Sequence, residues 1–505
     1  MKHWVEIFAD GWIPFMAGND REGFESMEAA VMNRLKETPL LEVRGFGLSF
    51  LQYSRGWKEK NVQVISELDL SIHKGEIVAV IGASGSGKSL LADAILGILP
   101  ANAQPQGELL YHGEKLTQAK QRLFRGDKIA LIPQSVQSLN PLIKAGKQVG
   151  KSGGNVSVQP WERVGMTANL ARKYPFELSG GMARRVLTAT ALQSDPELVI
   201  ADEPTPGLDS AVLEETMEHI RQIAENGAGV MFITHDISTA LKISDRLVIM
   251  NEGRTVETAL ASDFAGKGER LKEAYTRKLW RALPQNDFAP VPRRDDSMPK
   301  KDNTLEAVGV TYRYDRAHNL FRKLNFTIGS GEVVGLYGPS GSGKTTLAQL
   351  LAGYRKPLEG KVMVDGRSVP ERGGHPVQLI WQHPERAVNP RWKLKKVWKE
   401  AGIIEPEVMK QLGIRAEWLD RYPSELSGGE LQRICVARAF HPSVRYIIAD
   451  EMTTMLDAWT QSLLWEAVLH HAYQRNIGIL AISHDASLLE RISTRVIDYE
   501  SILTV

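Results

Sequence analysis

Only one cysteine, Cys435, occurs in 505 residues. That is too few for an internal disulfide or for a cysteine-only zinc or iron–sulfur site, which need several thiolates. A reducing, cytoplasmic setting is the natural expectation, with Cys435 as a small buried hydrophobe. Long apolar runs are lacking as well. Stretches such as Ile77–Ile81 and Leu198–Ala201 have strand length, far short of the roughly 20 residues that cross a bilayer, so the chain is not expected to span a membrane. Charge of one sign is also missing. With 62 basic against 60 acidic residues, no global field draws the chain toward nucleic acid or anionic lipid. Residues 1–10 carry acids and aromatics instead of a basic segment followed by an apolar stretch, so they do not read as a signal peptide.

What is present is a domain-sized repeat. Gly82-Ala-Ser-Gly-Ser-Gly-Lys-Ser89 recurs as Gly338-Pro-Ser-Gly-Ser-Gly-Lys-Thr345, and Leu178-Ser-Gly-Gly181 recurs as Leu426-Ser-Gly-Gly429. The later motifs keep the same order. A period of roughly 250 residues is far above that of solenoid repeats and implies two like domains. Between them, residues 288–303 are proline-rich, charged and poor in apolar residues, which marks a linker not expected to pack. The division is therefore an extension at 1–38, a first domain at 39–287, the linker at 288–303 and a second domain at 304–505. In the extension, Phe24, Met27, Val31 and Leu35 fall at helical spacing, which predicts an amphipathic helix over 22–37. Within each half, short β-branched runs end in glycine turns or carboxylate pairs and lead into helical patterns. This is the alternation of an α/β fold with a largely parallel sheet. Ile77–Ile81 is predicted to be a strand and Leu90–Leu99 a helix.

The glycine loops carry chemistry that follows from residue type. Backbone amides must approach and surround phosphates, so bulky side chains are excluded at Gly82, Gly85 and Gly87 and at Gly338, Gly341 and Gly343. Ser84, Ser340 and Thr346 complete the two loops. Lys88 and Lys344 are placed to reach the β- and γ-phosphates, and the hydroxyls of Ser89 and Thr345 to ligate Mg²⁺. Binding of ATP or GTP follows.

The second signal chooses among the families that share this loop. Ser179-Gly180-Gly181 and Ser427-Gly428-Gly429 each lead into a helix, and both segments resemble the signature of the ATP-binding-cassette family. Small residues at a helix N-terminus make an anion site, and the resemblance implies that this site is aimed at the γ-phosphate held by the opposite domain. It covers nearly all of both halves. It implies two tandem ATPase domains, each with a mostly parallel core sheet, an antiparallel β subdomain and a helical signature subdomain. It also implies that Asp202 and Asp450 hold Mg²⁺ through water, that Glu203 and Glu451 polarise the attacking water, and that His235 and His484 contact the γ-phosphate. Gln134 and Gln382 match the glutamine that senses Mg²⁺ and the γ-phosphate. Asp209 and Asp457 match the loop crossing the interface between domains, and Phe50 and Tyr314 match the aromatic that stacks on adenine, although Phe50 also suits a strand core. Departures from the family pattern are small: Met182 and Glu430 stand where glutamine is usual, and Met452 stands where the first half has Pro204. None removes a catalytic group, so both composite sites are expected to hydrolyse ATP.

Three segments are similar to the ATPases of peptide, nickel and opine importers. They are Ser138-Leu-Asn-Pro141, His383–Arg391 with its Asn389-Pro390-Arg391, and Ala274–Pro284. The resemblance implies an ATPase energising transport with ATP and Mg²⁺ as cofactors, at the cytoplasmic face of the membrane. The partners it implies are two integral membrane permease subunits and, through them, an external solute-binding protein, with no nucleic acid expected. Relatives carry a cysteine cluster for an iron–sulfur centre, which this chain lacks. The segment Arg391–Lys399 is strongly basic and reads as a solvated helix face. The competing reading is a soluble twin-cassette ATPase acting on ribosomes or nucleic acid. Those proteins have a long charged linker or zinc cysteines that this sequence does not contain.

Overall fold

A computed structural model describes residues 31, 34–54, 58–83, 85–150, 159–162, 164–205, 210–286, 288, 303–314, 319–339, 341–369, 375–400, 402, 406–454 and 456–503. The first half is built on strands β1 (Leu41–Ser54), β2 (Lys58–Ile72), β3 (Ile77–Gly82), β4 (Ala103–Tyr111), β5 (Glu114–Lys115), β6 (Ile129–Ile132), β7 (Leu198–Asp202), β8 (Gly229–Thr234), β9 (Arg246–Asn251) and β10 (Arg254–Leu260). They form one ten-stranded sheet in the order β5-β4-β1-β2-β10-β9-β3-β8-β7-β6. Strands β9, β3, β8, β7 and β6 are mutually parallel, whereas β1, β2, β4 and β5 form an antiparallel layer. A single bridge, Arg254 to Glu67, joins the two parts.

The second half repeats the plan with β11 (Thr304–Tyr312), β12 (Phe321–Gly329), β13 (Val333–Tyr337), β14 (Glu359–Val364), β15 (Arg367–Ser368), β16 (Val377–Ile380), β17 (Tyr446–Asp450), β18 (Gly478–Ser483) and β19 (Arg495–Asp498). Here the antiparallel layer β12-β11-β14-β15 is separate from a five-stranded sheet β16-β17-β18-β13-β19, whose strands are all parallel. Strands β3, β8 and β18 are buried along their whole length, as expected when helices cover both faces of a parallel sheet. In both sheets the glycine loop leaves the strand next to the one that carries the histidine, and the strand with the carboxylate pair lies just beyond it. That arrangement gathers the functional residues at the strands' carboxyl ends.

The helices that bear on the site are α1 (Lys88–Leu96), α2 (Gly180–Ala191), α3 (Ser210–Glu225), α4 (Ala274–Arg281), α5 (Lys344–Leu351), α6 (Leu394–Glu400), α7 (Gly428–Arg438) and α8 (Ala458–Arg475). Helix α1 begins two residues before the predicted Leu90 and stops at Leu96 instead of Leu99. Gly97 takes a left-handed conformation (φ 66°) and donates its N–H back to Ala94 and Asp93 carbonyls, a glycine C-cap that the apolar pattern alone does not reveal. Helix α6 carries the basic segment. Leu394 and Val397 are buried while Lys395 and Lys396 are exposed, with Lys395 paired to Asp420 at 3.1 Å and Lys396 over the Trp392 ring at 3.7 Å.

One expectation is corrected. Phe288, at the start of the segment read as an unpacked linker, is 1% exposed and belongs to the second half's hydrophobic cluster. Its carbonyl accepts from Arg491. It is the sole large aromatic in a polar, proline-rich run, and burial of one ring outweighs the polarity of its neighbours. Of the remaining linker only Asn303 lies within the described residues, and of the predicted helix over 22–37 only residue 31 and 34–37, where Leu35 N donates to the Val31 carbonyl. No helix among the described residues is long and apolar enough to cross a membrane.

Candidate functional site

Each glycine loop wraps its own lysine. Lys88 Nζ donates to the Gly82 carbonyl at 2.8 Å and the Ala83 carbonyl at 3.0 Å. Lys344 Nζ does the same to the carbonyls of Gly338 (2.8 Å) and Pro339 (2.6 Å). Gly85, Gly87, Gly341 and Gly343 all have φ between 78° and 116°, where an L side chain is strained. A Cβ on Gly82 would sit 2.6 Å from Ser86 Oγ, and one on Gly87 2.7 Å from Ile65. Burial lowers the pKa of both lysines, against which Glu203, Asp202 and Asp457 act on Lys88 and Glu451 and Asp450 on Lys344. Ser84 and Ser340 lie outside the described residues, as does Asp209.

The hydroxyls meet the carboxylates as the motif spacing implies. Ser89 Oγ donates to Asp202 Oδ1 at 3.1 Å, and Thr345 hydrogen-bonds Asp450. Burial raises both aspartates, Asp450 to about 6. A hydroxyl beside a carboxylate at the head of a phosphate loop is a donor set that suits Mg²⁺, a hard cation that takes oxygen ligands and keeps several waters.

The next residue in each half forms a second cluster. Gln134 Nε2 donates to Glu203 Oε2 at 2.8 Å, and His235 Nδ1 lies 3.3 Å from Glu203 Oε1. In the second half Gln382 Nε2 donates to Glu451 Oε2 at 2.9 Å, and His484 Nδ1 is 3.6 Å from Glu451 Oε1. Both glutamates adopt a positive φ, 43° and 47°, with their amides bonded to Ile233 and Ile482 carbonyls on the neighbouring strand. Such strain in a non-glycine residue marks an imposed orientation. Burial pushes the glutamates up, but the histidine partner and the loop lysine more than offset it, leaving both carboxyls below their ordinary value. For His235 burial is the largest influence and lowers its pKa, yet Glu203 leaves it raised. His484 is raised first by its hydrogen bond to Glu451.

The signature serines cap their helices. Ser179 Oγ accepts from Met182 N at 3.3 Å. Ser427 forms a reciprocal capping box with Glu430, which gives Glu430 a structural reason at its unusual position. Thr346, in the first turn of α5, bonds the Tyr314 hydroxyl at 2.7 Å. Tyr314 is itself 64% exposed. Phe50 occupies the matching place in β1, paired with Val62 and Ala103 and packed on the apolar cluster of its antiparallel layer. Phe50 is half-buried there, a packing that suits the strand-core reading without testing the adenine-stacking one.

Sequence reasoning missed two features. Arg184, five residues after Ser179, donates to the backbone carbonyls of Pro204 and, at 3.4 Å, Gln134. Gln432, five residues after Ser427, donates to the Met452 carbonyl at 2.9 Å and the Trp381 carbonyl at 3.1 Å. The same position in each half thus ties the signature helix to the residue after the glutamate, Pro204 or Met452, and to the Gln134 or Gln382 strand end, at Gln134 itself in the first half and at Trp381, one residue before Gln382, in the second. The unlike side chains hid the equivalence, and matched distance from the signature was the only available signal. Also unforeseen, His235 Nε2 lies 3.0 Å from the Thr454 carbonyl of the other half. A Cβ on Gly85 would come 4.0 Å from Ser427 Cβ, so the first glycine loop faces the second half's signature. Cys435 is buried, and its thiol is pushed up to about 12 by that burial, consistent with an inert apolar role.

Comparison with known proteins places these motifs among relatives. Residues 65–206 and 321–454 match the ABC transporter family. The chain is 31% identical to an uncharacterized ABC transporter ATP-binding protein, YejF of Escherichia coli, across 86% of this chain and 90% of that one. It is 29% identical to the peptidoglycan transport ATP-binding protein YejF of Agrobacterium fabrum, across 92% of each. It is likewise 29% identical to the glutathione import ATP-binding protein GsiA of Salmonella typhimurium, across 92% of this chain and 85% of that one. Among solved structures, an archaeal ribosome recycling factor, crystallised with a ribosomal stalk protein, superposes with a TM-score of 0.61 at 21% identity over 89% of this chain and 87% of that one. That likeness concerns the fold.

Proposed function

The chain belongs to the ABC transporter family and is an ATP-hydrolysing protein of it, and we propose that it energises a membrane importer of the peptide class through two composite sites formed head-to-tail between its halves. In each site one half supplies the glycine loop, hydroxyl, aspartate, glutamate, glutamine and histidine, and the other supplies the signature. Lys88 and Lys344 would neutralise the phosphates, and Ser89 with Asp202 and Thr345 with Asp450 would hold Mg²⁺, which would supply charge stabilisation at the phosphates. Glu203 and Glu451, each oriented by a histidine and a glutamine, take up the proton of the attacking water. Closure on two ATP molecules and reopening after hydrolysis drive the permease subunits between inward- and outward-facing states.

The observation that carries this reading is the approach of the first glycine loop to the second half's signature serine, together with His235 on the Thr454 carbonyl. Similarity to transport and import proteins over 86–92% of the chain favours an importer. The relatives' names favour solutes containing peptide bonds over nickel chelates. The protein would then sit peripherally on the cytoplasmic face, docked to two permease subunits through the stretches that follow Gln134 and Gln382. Alanine at Asn389 and Arg391 should spare basal ATP hydrolysis by the isolated chain and weaken permease association or solute uptake in reconstituted vesicles. Unchanged uptake and assembly, or co-purification with ribosomes instead of membrane subunits, would overturn the importer reading.

A further inference from the structure

The two composite sites are unequally closed. At the first, the loop of the second half that follows Glu451 is seated against the first half. The Thr454 carbonyl meets His235, Ser427 faces Gly85, and the charge of Asp457 reaches both Lys88 and Tyr275. At the second, a Cβ on Gly341 would meet nothing within 4 Å among the described residues, which leave out 206–209. The loop there opens into a cleft of about 3190 Å³ that takes in Tyr314, Lys344, Thr345 and His484, with α3 opposite, and that reaches the first site only at its edge, along His235 and Thr454. The histidines record the difference: the His235 side chain is 12% exposed and that of His484 42%.

What holds the first site shut lies beside Asp457. This aspartate caps α8, accepting from Thr460 N at 3.1 Å and Thr460 Oγ1 at 2.8 Å. The next two residues leave the second half: Ala458 is buried in the first half's hydrophobic cluster and Trp459 packs against it. The Trp459 ring receives Lys278 Nζ of α4 at 3.4 Å from its centroid. Seven residues beyond α4, Phe288, the first residue after the first domain, is buried in the second half's cluster, so packing crosses between the halves in both directions. The sequence gives the reverse interface no such ring, because the residue two places after Asp209, matching Trp459, is Ala211.

We propose that Lys278 and Trp459 form a latch between the halves that keeps the first composite site closed, so that the two sites release nucleotide at different rates. The latch acts through position: it fixes the start of α8, hence Asp457 and the Thr454 loop, over the nucleotide held by Lys88. The proposal rests on the head-to-tail arrangement but not on the importer assignment.

The test uses the intact chain with Glu203→Gln and Glu451→Gln, loaded with a fluorescent ATP analogue and Mg²⁺ and chased with unlabelled ATP. Two release phases are expected. Lys88→Ala should remove the slow one and Lys344→Ala the fast one. Trp459→Ala should speed the slow phase by about two- to fivefold, the range a cation–π contact with an exposed lysine supports, and leave the fast phase unchanged. Lys278→Met should act in the same direction, and Trp459→Tyr should restore slow release, which a general loss of packing would not permit. A single phase in the parent, a slow phase that survives Lys88→Ala, or a slow phase indifferent to both Trp459→Ala and Lys278→Met overturns the latch. Ser427→Arg separates the two ideas. If it abolishes the slow phase while the latch variants do nothing, only the latch fails. If it leaves the slow phase intact, the head-to-tail reading fails as well.

Discussion

Asp450 sits 3% exposed at the end of β17, and its burial moves the carboxyl from 3.8 to about 6. A group whose folded pKa is raised binds a proton more tightly in the folded chain than in the unfolded one, so ionising it costs folding stability. The cost is absent below the unfolded value, grows as pH climbs between 3.8 and about 6, and is complete above that. Asparagine keeps an oxygen to accept from Thr345 and removes the charge. Asp450→Asn should therefore stabilise the metal-free second half by about 1 kcal/mol at pH 4.5 and by up to about 3 kcal/mol at pH 8, taking one pKa unit as about 1.4 kcal/mol. The assay is denaturant unfolding in EDTA at the two pH values, with the transition of the second half followed by hydrogen exchange of β17 and β18. With Mg²⁺ and ATP the sign should reverse, because the metal needs the carboxylate, and turnover should fall by at least about tenfold. A variant no more stable than the parent at pH 8, or one whose gain is the same at both pH values, would refute the reasoning.

Glu203→Gln and Glu451→Gln should each lower ATP turnover by about 10²-fold or more, the scale of a lost general base, while equilibrium dialysis shows ATP binding retained. Full activity in either variant would mean that only one site is catalytic. Arg184→Gln should keep most activity, since Gln432 at the matching position of the second half also donates to two backbone carbonyls, those of Met452 and Trp381. Arg184→Ala should leave the carbonyl of the buried Pro204 without this partner and destabilise the first half by about 1 kcal/mol, read as a lower midpoint in thermal unfolding. Cleavage between Pro290 and Pro299 should leave ATPase activity intact at micromolar concentration, because Phe288 remains on the first half and anchors it to the second. Loss of activity after a clean cut would show that the segment does more than tether.

The chemistry of this protein was legible because it is local. A glycine loop, a carboxylate pair and a histidine each declare themselves within a few residues, since backbone geometry and phosphate contact demand particular side chains at fixed spacing. Their repetition at 82–89 and 338–345 also declared two domains. Other features were not local. Phe288 lay in a run that composition marks as solvated, and only the second half's core shows where its ring goes. Arg184 and Gln432 differ in size and charge, so their similar task emerges only when the carbonyl after the glutamate and one at the Gln134 or Gln382 strand end are brought beside them. Nothing in the residues around Trp459 singles it out. By itself the sequence determined the reaction's parts, because those depend on residue type and short spacing. Tertiary structure decided which half closes over which site, because that depends on contacts between residues some 180 positions apart, such as Lys278 and Trp459, that no local pattern encodes.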